Sequence, residues 1–235
     1  MAMSSGEHVL ATAKQTNGKI ASVGRVLPDR STLRKYLNPH LLAIATNRGV
    51  YLIDAVTGLL VWNGDQPASS IALSENWLVY SSGHNLVSVE LYENSTSSKT
   101  YAFPGRVTSL SMSQTEHGVT TTALLVSTTD QIVSISKGAL GLPVDPKWVV
   151  SHTNRVAGVK GVFSSPTALE STSQILAYGL DLFGSSISPS GRFDVLSRDF
   201  NTWQLAGTTS ALLGIIGVLK PMVARKKLKE RWDRD

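Results

Sequence analysis

The sequence predicts a mainly β fold of partial β-propeller blades, followed by one C-terminal transmembrane helix. Short runs of β-branched and aromatic residues recur at the spacing that is typical of sandwiches and propellers. Within them, residues 50–62 show a strand, turn, strand and tryptophan pattern that favours a propeller. Near the end, residues 200–219 contain no charged residue. We therefore expect a β domain that precedes a membrane anchor.

The strand predictions rest on apolar runs that are separated by turn residues. The runs are residues 41–46, 50–53, 59–62, 76–80, 86–92, 119–127 and 131–136. Gly, Asn, Asp and Ser lie between them, as in turns that connect antiparallel strands. A later pair, residues 174–179 and 183–188, turns at Gly179-Leu180-Asp181, and residues 136–140 and 193–197 are predicted to form single helical turns.

Residues 50–62 carry the most specific local pattern, an apolar strand, an Asp-x-x-Thr-Gly turn, a second strand and a tryptophan. It resembles the tryptophan-docking repeat of quinoprotein-like propellers. There, Asp54 and Thr57 would close the turn on backbone donors, Gly58 would take a positive φ, and Trp62 would pack between blades. The alternative is an ordinary hairpin with a core tryptophan.

The number of strands suffices for only three or four blades, whereas closed propellers have about four to eight. We therefore expect an incomplete ring, whose missing blades come from preceding sequence or from a partner. The predicted boundaries are a disordered leader at 1–19, the propeller portion at 20–198, the transmembrane helix at 199–224 and a basic tail at 225–235.

The membrane span is predicted from residues 200–219, which lie between the charges of Asp199 and Lys220. A bilayer core of about 30 Å needs about 20 apolar helical residues. A buried core helix would be equally apolar, but it would not explain the cations that follow. These cations include Lys220, Arg225, Lys226, Lys227 and Lys229.

The net charge of +5 is concentrated behind the span. Residues 220–235 hold seven Lys or Arg and three Asp or Glu, a net of +4, so only +1 remains for the rest of the chain. This distribution argues against nucleic acid as a partner, because nucleic-acid binding needs a basic face on the folded part. Cytosolic flanks of spans are rich in Lys and Arg, so we expect a cytosolic tail and a lumenal β portion.

The N-terminal residues conflict with a lumenal location, because residues 1–19 lack the apolar core of a signal peptide. We interpret the sequence as the C-terminal part of a longer protein that carries the signal. A lumenal location would also make the single glycosylation sequon, Asn94-Ser95-Thr96, usable.

Small residues form one face of the predicted span at about 100° per residue. They are Gly207, Ser210, Ala211, Gly214 and Gly217. Such a stripe permits close packing against another helix, although small residues are also common in spans generally. Trp203 would lie at the lumenal headgroups, and Pro221 at the cytosolic end. The tail cations would set the topology or bind anionic lipid.

The residues predict no catalytic, metal or cofactor site. There is no cysteine, and the five histidines show no metal-ligand spacing. No Gly-x-Ser-x-Gly elbow is present to support a Ser-His-Asp triad. The propeller pattern raises one enzyme alternative, a membrane-anchored quinoprotein-like dehydrogenase, whose alcohol-oxidising members carry paired cysteines beside the cofactor.

Several longer blocks resemble one known family. The blocks are residues 20–31, 35–39, 50–58, 74–80, 89–93, 155–172, 177–183 and 191–196. Together they resemble the C-terminal region of subunit 1 of the endoplasmic-reticulum membrane protein complex. The resemblance implies a lumenal propeller, one type I span and a cytosolic tail. It also implies a scaffold role in inserting and folding multipass and tail-anchored proteins, with other complex subunits, client membrane proteins and the bilayer as partners. The family's signal peptide and larger lumenal portion are not part of this sequence.

Overall fold

A computed structural model describes residues 5–15, 20, 22–152, 156–188 and 202–232. The chain divides into two compact units, Met1–Asp194 and Val195–Asp235. The described part of the first unit contains strands and two short 3-10 turns, and that of the second is one helix. One 3-10 turn, Lys137–Ala139, coincides with a predicted helical turn, whereas residues 193–197 lie outside the described residues.

The strands of the first unit form four antiparallel sheets and a hairpin. They are β1 (Val9–Lys14), β2 (Gly24–Val26), β3 (Thr32–Arg34), β4 (Leu41–Thr46), β5 (Val50–Asp54), β6 (Leu60–Gly64), β7 (Ser70–Ser74), β8 (Trp77–Ser82), β9 (Asn85–Tyr92), β10 (Ser95–Ala102), β11 (Ser109–Met112), β12 (Ala123–Ser127), β13 (Ile132–Ser136), β14 (Gly161–Pro166), β15 (Ser173–Tyr178) and β16 (Leu182–Ile187).

Each sheet is a propeller blade. Blade 1 has the order β1-β4-β5-β6, blade 2 β10-β9-β8-β7, blade 3 β11-β12-β13 and blade 4 β14-β15-β16, while β2 and β3 form the hairpin. One edge strand of each blade contacts that of the next, since β1 contacts β7, β7 contacts β11, and β11 contacts β14. Inner strands surround a propeller axis in this way. The mainly β, propeller-type prediction is confirmed.

Apolar side chains fill the junctions between consecutive blades. Leu78 packs towards blade 1, and its neighbour Val79 packs towards blade 3. On β12, Leu124 packs towards blade 2 and Leu125 packs towards blade 4. Neighbouring strand residues point to opposite faces, so strands covered on both sides are continuously apolar. Burial of each such side chain contributes about 1.5–3 kcal/mol.

The N-terminal prediction is wrong, because part of the predicted disordered leader is strand β1. It pairs antiparallel with β4, and Ala11 and Ala13 pack against the core between blades 1 and 2. The pattern Ala-Thr-Ala-Lys does alternate with period two, but alanine has low strand preference and is a weak signal. Pairing with the buried strand β4 supplies the stabilisation that the local sequence lacks.

The second unit is a single helix, α1 (Thr202–Trp232), of 31 residues. Its stretch Thr202–Lys226 is long and apolar enough to cross a membrane, with a mean hydropathy of 1.4 in its most apolar part. Residues 199–201 of the predicted span lie outside the described residues.

The helix extends further than the sequence predicts, since it continues through Pro221 into the predicted basic tail. A proline lacks the N–H that would bond to the carbonyl four residues earlier, which here belongs to Gly217. The residues that follow include Ala224, Arg225 and Lys226, which favour helices. Only one intrahelical bond is lost, so the helix is preserved.

Candidate functional site

The turn between β5 and β6 is closed by the side chains of Asp54 and Thr57. One carboxylate oxygen of Asp54 accepts hydrogen bonds from the Val56 N–H at 2.9 Å and the Thr57 N–H at 3.4 Å. Thr57 Oγ1 accepts from the Leu59 N–H at 3.4 Å, and Gly58 has a φ of +71°. The Val56 N–H above all stabilises the charged carboxylate, so the pKa of Asp54 is lowered. Both polar side chains of the pattern therefore serve the turn.

Trp62 lies at the junction of blades 1 and 2. Its ring centroid is 6.3 Å from that of Tyr80 on β8, with the ring planes at 45°. A Cβ atom at Gly64 would lie 2.7 Å from Trp62 Cη2, so the glycine makes room for the indole. Trp62 also packs against the core that contains Leu52 and Leu78. The tryptophan thus joins two blades, as in the docking repeat.

A polar cluster links the β2–β3 hairpin with blades 2 and 3. Lys35, directly after β3, places Nζ 2.6 Å from a carboxylate oxygen of Glu75 in the β7–β8 turn. Lys137, directly after β13, places Nζ 3.3 Å from Glu90 of β9. The hydroxyl of Tyr92 donates to the other carboxylate oxygen of Glu90. The two ion pairs join residues forty or more positions apart in sequence, so no local pattern indicates them.

Burial and hydrogen bonding shift the pKa values within this cluster. Burial lowers the pKa of Lys137, whose Nζ lies 5.2 Å from the ring centroid of Trp77. Burial would raise the pKa of Glu90, but the bonds from Tyr92 and Lys137 outweigh it and the net shift is downward. Burial and the neighbouring Glu90 raise the pKa of Tyr92 to about 12. The ion pairs and the hydrogen bond of this cluster join the β2–β3 hairpin to blades 2 and 3.

Glu170 connects the loop between β14 and β15 with the loop between β11 and β12. Its carboxylate accepts hydrogen bonds from the N–H groups of His117 at 2.7 Å, Val119 at 2.7 Å and Thr120 at 3.3 Å. In return, Thr120 Oγ1 donates to the Glu170 carbonyl at 3.0 Å. Desolvation would raise the pKa of Glu170, but these N–H donors outweigh it and the pKa is lowered. These hydrogen bonds between loops connect blades 3 and 4, in addition to the apolar core that the two blades share.

The face of blade 4 that points away from blade 3 is exposed and apolar. Phe163 and Tyr178 stack on it with ring centroids 5.6 Å apart and planes at 7°. Phe163 is 58% exposed and Leu176 51%. They border a groove of about 600 Å³. Exposed apolar clusters of this kind mark interaction surfaces, and we name these three residues the blade-4 face.

The small residues of α1 are all exposed within the structure. A Cβ atom added at Gly207, Gly214 or Gly217 would meet no heavy atom within 4 Å. Ser210 and Ala211 share that side of the helix. The described cations Lys220, Arg225 and Lys226 are exposed as well, whereas the side chains of Lys227 and Lys229 lie outside the described residues.

The remaining candidate residues do not converge. Asn94 lies in the exposed β9–β10 turn on the rim of blade 2. Across residues 5–15, 20, 22–152, 156–188 and 202–232, no three His, Asp or Glu side chains are grouped as metal ligands.

A run of propeller blades whose last described blade presents an exposed apolar face, followed by one helix of membrane-spanning length, defines a β-propeller protein with one candidate membrane span. The family model described as ER membrane protein complex subunit 1, second beta-propeller, matches residues 1–141 and 139–190. The chain therefore belongs to the family of ER membrane protein complex subunit 1.

Curated relatives with that name match nearly the whole chain. The protein of Schizosaccharomyces pombe is 30% identical over 98% of this chain and 33% of its own length. That of Xenopus laevis is 29% identical over 93% of this chain and 28% of its own length. That of Saccharomyces cerevisiae is 29% identical over 98% of this chain and 40% of its own length. This chain thus spans well under half the length of these relatives.

Among solved structures, BamB from Moraxella catarrhalis aligns with a TM-score of 0.40 and 12% identity. The alignment covers 69% of this chain and 44% of BamB.

Proposed function

We propose that the chain is a non-catalytic scaffold subunit of the ER membrane protein complex, and that it supports the insertion and folding of multipass and tail-anchored membrane proteins. The observation that carries this proposal is the family match across residues 1–190. The geometry agrees with a scaffold, because its main exposed features are surfaces for packing. These are the blade-4 face and the small-residue face of α1.

The alternative function, a quinoprotein-like dehydrogenase, was suggested by the pattern in residues 50–62, and the residues of that pattern have structural roles here. Asp54 and Thr57 are engaged in closing their own turn, and Trp62 is engaged in joining two blades. The pattern is therefore explained by blade architecture, and the paired cysteines of the alcohol-oxidising enzymes have no counterpart in a chain without cysteine.

For the topology, we propose that α1 spans the endoplasmic-reticulum membrane, with the first unit in the lumen and the basic C-terminal end in the cytosol. The stretch Thr202–Lys226 has the required length, at about 1.5 Å per residue. Lys220, Arg225 and Lys226 follow the apolar part, together with Lys227 and Lys229 in the sequence. This asymmetry of Lys and Arg favours a cytosolic C-terminus.

The small-residue face of α1 is proposed to dock against a helix of another subunit. In lipid, helix association depends on close packing rather than on apolar burial. Within α1, no other described side chain fills the space beside Gly207, Gly214 and Gly217. The basic end would then secure topology and contact anionic headgroups.

The blade-4 face is proposed to pack against further β structure of the assembled protein. The three junctions already present are formed by apolar sheet faces of the same alternating kind. In blade 4, Ile175 and Ala177 point towards blade 3, and Leu176 and Tyr178 point away from it. The alignments cover only 28% and 40% of the length of two of the relatives, so these relatives contain additional chain that could supply a covering sheet.

The experiment that tests the proposal is purification of the C-terminally tagged chain from microsomes. We expect the chain to stay in the pellet after an alkaline carbonate wash, to expose its tag to protease in sealed vesicles, and to co-purify with other complex subunits. Release into the wash, or purification without those subunits, would contradict it. Reduced levels of a tail-anchored and a multipass reporter in cells without the chain would support the client role, and unchanged levels would refute it.

A further inference from the structure

The β2–β3 hairpin carries a concentration of positive charge. Residues 22–35 contain Arg25, Arg30, Arg34 and Lys35 against Asp29, a net charge of +3. Because residues 1–219 together have a net charge of only +1, the rest of that stretch is negative overall. The three arginines are exposed, and among the described residues none of them forms an ion pair with a carboxylate. The hairpin is therefore a basic surface on a first unit that is otherwise not basic.

A cavity of about 250 Å³ adjoins the base of this hairpin. Ser22 and Lys35 line it from the hairpin, Trp77 lines it from blade 2, and Lys137 and residues 118–122 line it from blade 3. Its volume is below the range of about 300–1,000 Å³ that is typical of small-molecule sites. The cavity therefore suits one side chain of a larger ligand better than a separate small molecule.

The two lysines that line the cavity retain hydrogen-bond donors. An ammonium group has three N–H donors, and the described carboxylate partners are Glu75 for Lys35 and Glu90 for Lys137. A carboxylate that entered the cavity would accept further bonds from these ammonium groups. Such charge-assisted bonds are about twice as strong as neutral ones, so the cavity favours an acidic side chain.

Apolar side chains accompany the cations. Val23 and Val26 of the hairpin are 70% and 71% exposed, and Val119 beside the cavity is 56% exposed. Among the described strands, β2 pairs only with β3, so the backbone of its outer edge is open to an extended segment. The surface is thus complementary to an extended chain that alternates acidic and apolar side chains.

We propose that the hairpin and the adjoining cavity bind an acidic, extended segment of a partner polypeptide. One acidic side chain enters the cavity between blades 2 and 3, and neighbouring carboxylates contact Arg30 and Arg34. An anionic lipid headgroup offers similar charge, but strongly negative surface potential is a property of the cytoplasmic leaflet. The choice of a polypeptide over a lipid therefore rests on the lumenal location in the proposed function.

The test is fluorescence anisotropy with the purified full chain in detergent. The probe is a fluorescein-labelled peptide of alternating Glu and Val, and its matched control is a peptide of alternating Gln and Val. We expect the Glu peptide to bind, with an affinity that falls as salt is added, and the Gln peptide not to bind. Equal binding of the two peptides, or binding of neither, would overturn the proposal.

The hairpin arginines are tested by Arg30→Gln with Arg34→Gln. We expect affinity for the Glu peptide to fall about two- to thirty-fold, as the loss of two exposed ion pairs predicts. Arg48→Gln with Arg106→Gln is the matched control, because it removes two exposed arginines outside the hairpin and the cavity. Both variants should keep the wild-type midpoint of thermal unfolding. Equal affinity of the two variants would refute a role of the hairpin.

The cavity is tested by Thr121→Phe, which enlarges an exposed side chain of its lining. We expect weaker binding of the Glu peptide at an unchanged midpoint of thermal unfolding. Unchanged affinity would mean that no acidic side chain enters the cavity, and would refute that part of the proposal.

A fluorescent short-chain phosphatidylserine tests the lipid alternative in the same assay. If it binds in a manner that depends on Arg30 and Arg34 while the Glu peptide does not bind, the hairpin contacts a membrane surface and the proposal is wrong. Peptide binding is measured on the isolated chain and does not depend on the complex. A chain that co-purifies with other complex subunits but does not bind the Glu peptide would refute this inference and leave the proposed function standing.

Discussion

The Nζ atom of Lys35 lies 2.6 Å from a carboxylate oxygen of Glu75. This ion pair connects the β2–β3 hairpin to blade 2. Glu75 adopts a φ of +52°, in a region that non-glycine residues rarely occupy. The turn thus combines backbone strain with a side chain that a glycine could not provide. The ion pair and the strain act in opposite directions on stability.

Two substitutions of Glu75 should separate these effects. Glu75→Gln removes the charge and keeps the strain, so we expect it to lower the free energy of unfolding by about 0.2–1 kcal/mol. Glu75→Gly also removes the ion pair, but it relieves the backbone strain. That strain destabilises the folded state by on the order of 1 kcal/mol. Urea unfolding of the full chain in detergent, followed by tryptophan fluorescence, should show the glycine variant to be more stable than the glutamine variant. The reverse order would mean that the turn is unstrained.

Filling the space beside Trp62 should destabilise the junction of blades 1 and 2. Gly64→Ala would place a Cβ atom 2.7 Å from the indole, and we expect a loss of about 1–3 kcal/mol from overpacking. Gly184→Ala is the matched control, since a Cβ atom there meets nothing within 4 Å. Thermal unfolding of both variants is the measurement, and an equal midpoint for the two would contradict this packing.

The Glu170 hydrogen bonds should make stability depend on pH. Its pKa is lowered from 4.5 in the folded state, so its stabilisation is present above pH 4.5 and is lost as pH falls through the folded value. We expect wild type to unfold at a higher temperature than Glu170→Gln at pH 7, with a difference that shrinks towards pH 3. Glu116→Gln, on an exposed carboxylate of the β11–β12 loop that Glu170 contacts, is the control and should unfold at the same temperature as wild type at pH 7.

Enlarging the small-residue face of α1 should release the chain from its complex. Gly207→Leu, Ala211→Leu and Gly214→Leu together would block close helix approach, and within α1 a Cβ atom at either glycine meets no described heavy atom within 4 Å. We expect reduced co-purification with other subunits and unchanged retention in carbonate-washed membranes. Thr209→Leu with Ile216→Leu changes the opposite side and should leave co-purification intact. Equal recovery of both variants would argue against docking on this face.

The sequence predicts the blades best where strands contribute to the apolar cores. β8 and β9 agree with the predicted runs because they supply side chains to the cores on both sides of blade 2, and β4 and β5 agree because they supply the core between blades 1 and 2. β10 escapes prediction because all of its residues from Ser95 to Thr100 are polar, and its pairing with β9 alone makes it a strand. The turn at Asp54 is predictable because its hydrogen bonds span two or three residues.

The connections between distant segments could not be predicted. Glu170 bonds to backbone groups about fifty residues away, and Lys35 to a carboxylate forty residues away. Such pairs carry no local periodicity, and their partners are backbone atoms or single side chains. The run from Val119 to Thr122 illustrates this, since it resembles a strand in sequence but lies in the loop that Glu170 holds.

The separation of β1 from β4 has a kinetic consequence during synthesis. β1 leaves the ribosome first, yet residues 15–40 must follow before its partner strand emerges. Blade 2, by contrast, is contiguous from β7 to β10, with two-residue turns at Glu75-Asn76 and Glu93-Asn94. Loop closure slows distant pairings, so we expect blade 2 to form early and the β1–β4 pairing to form late. A nascent chain would depend most on a chaperone in that interval.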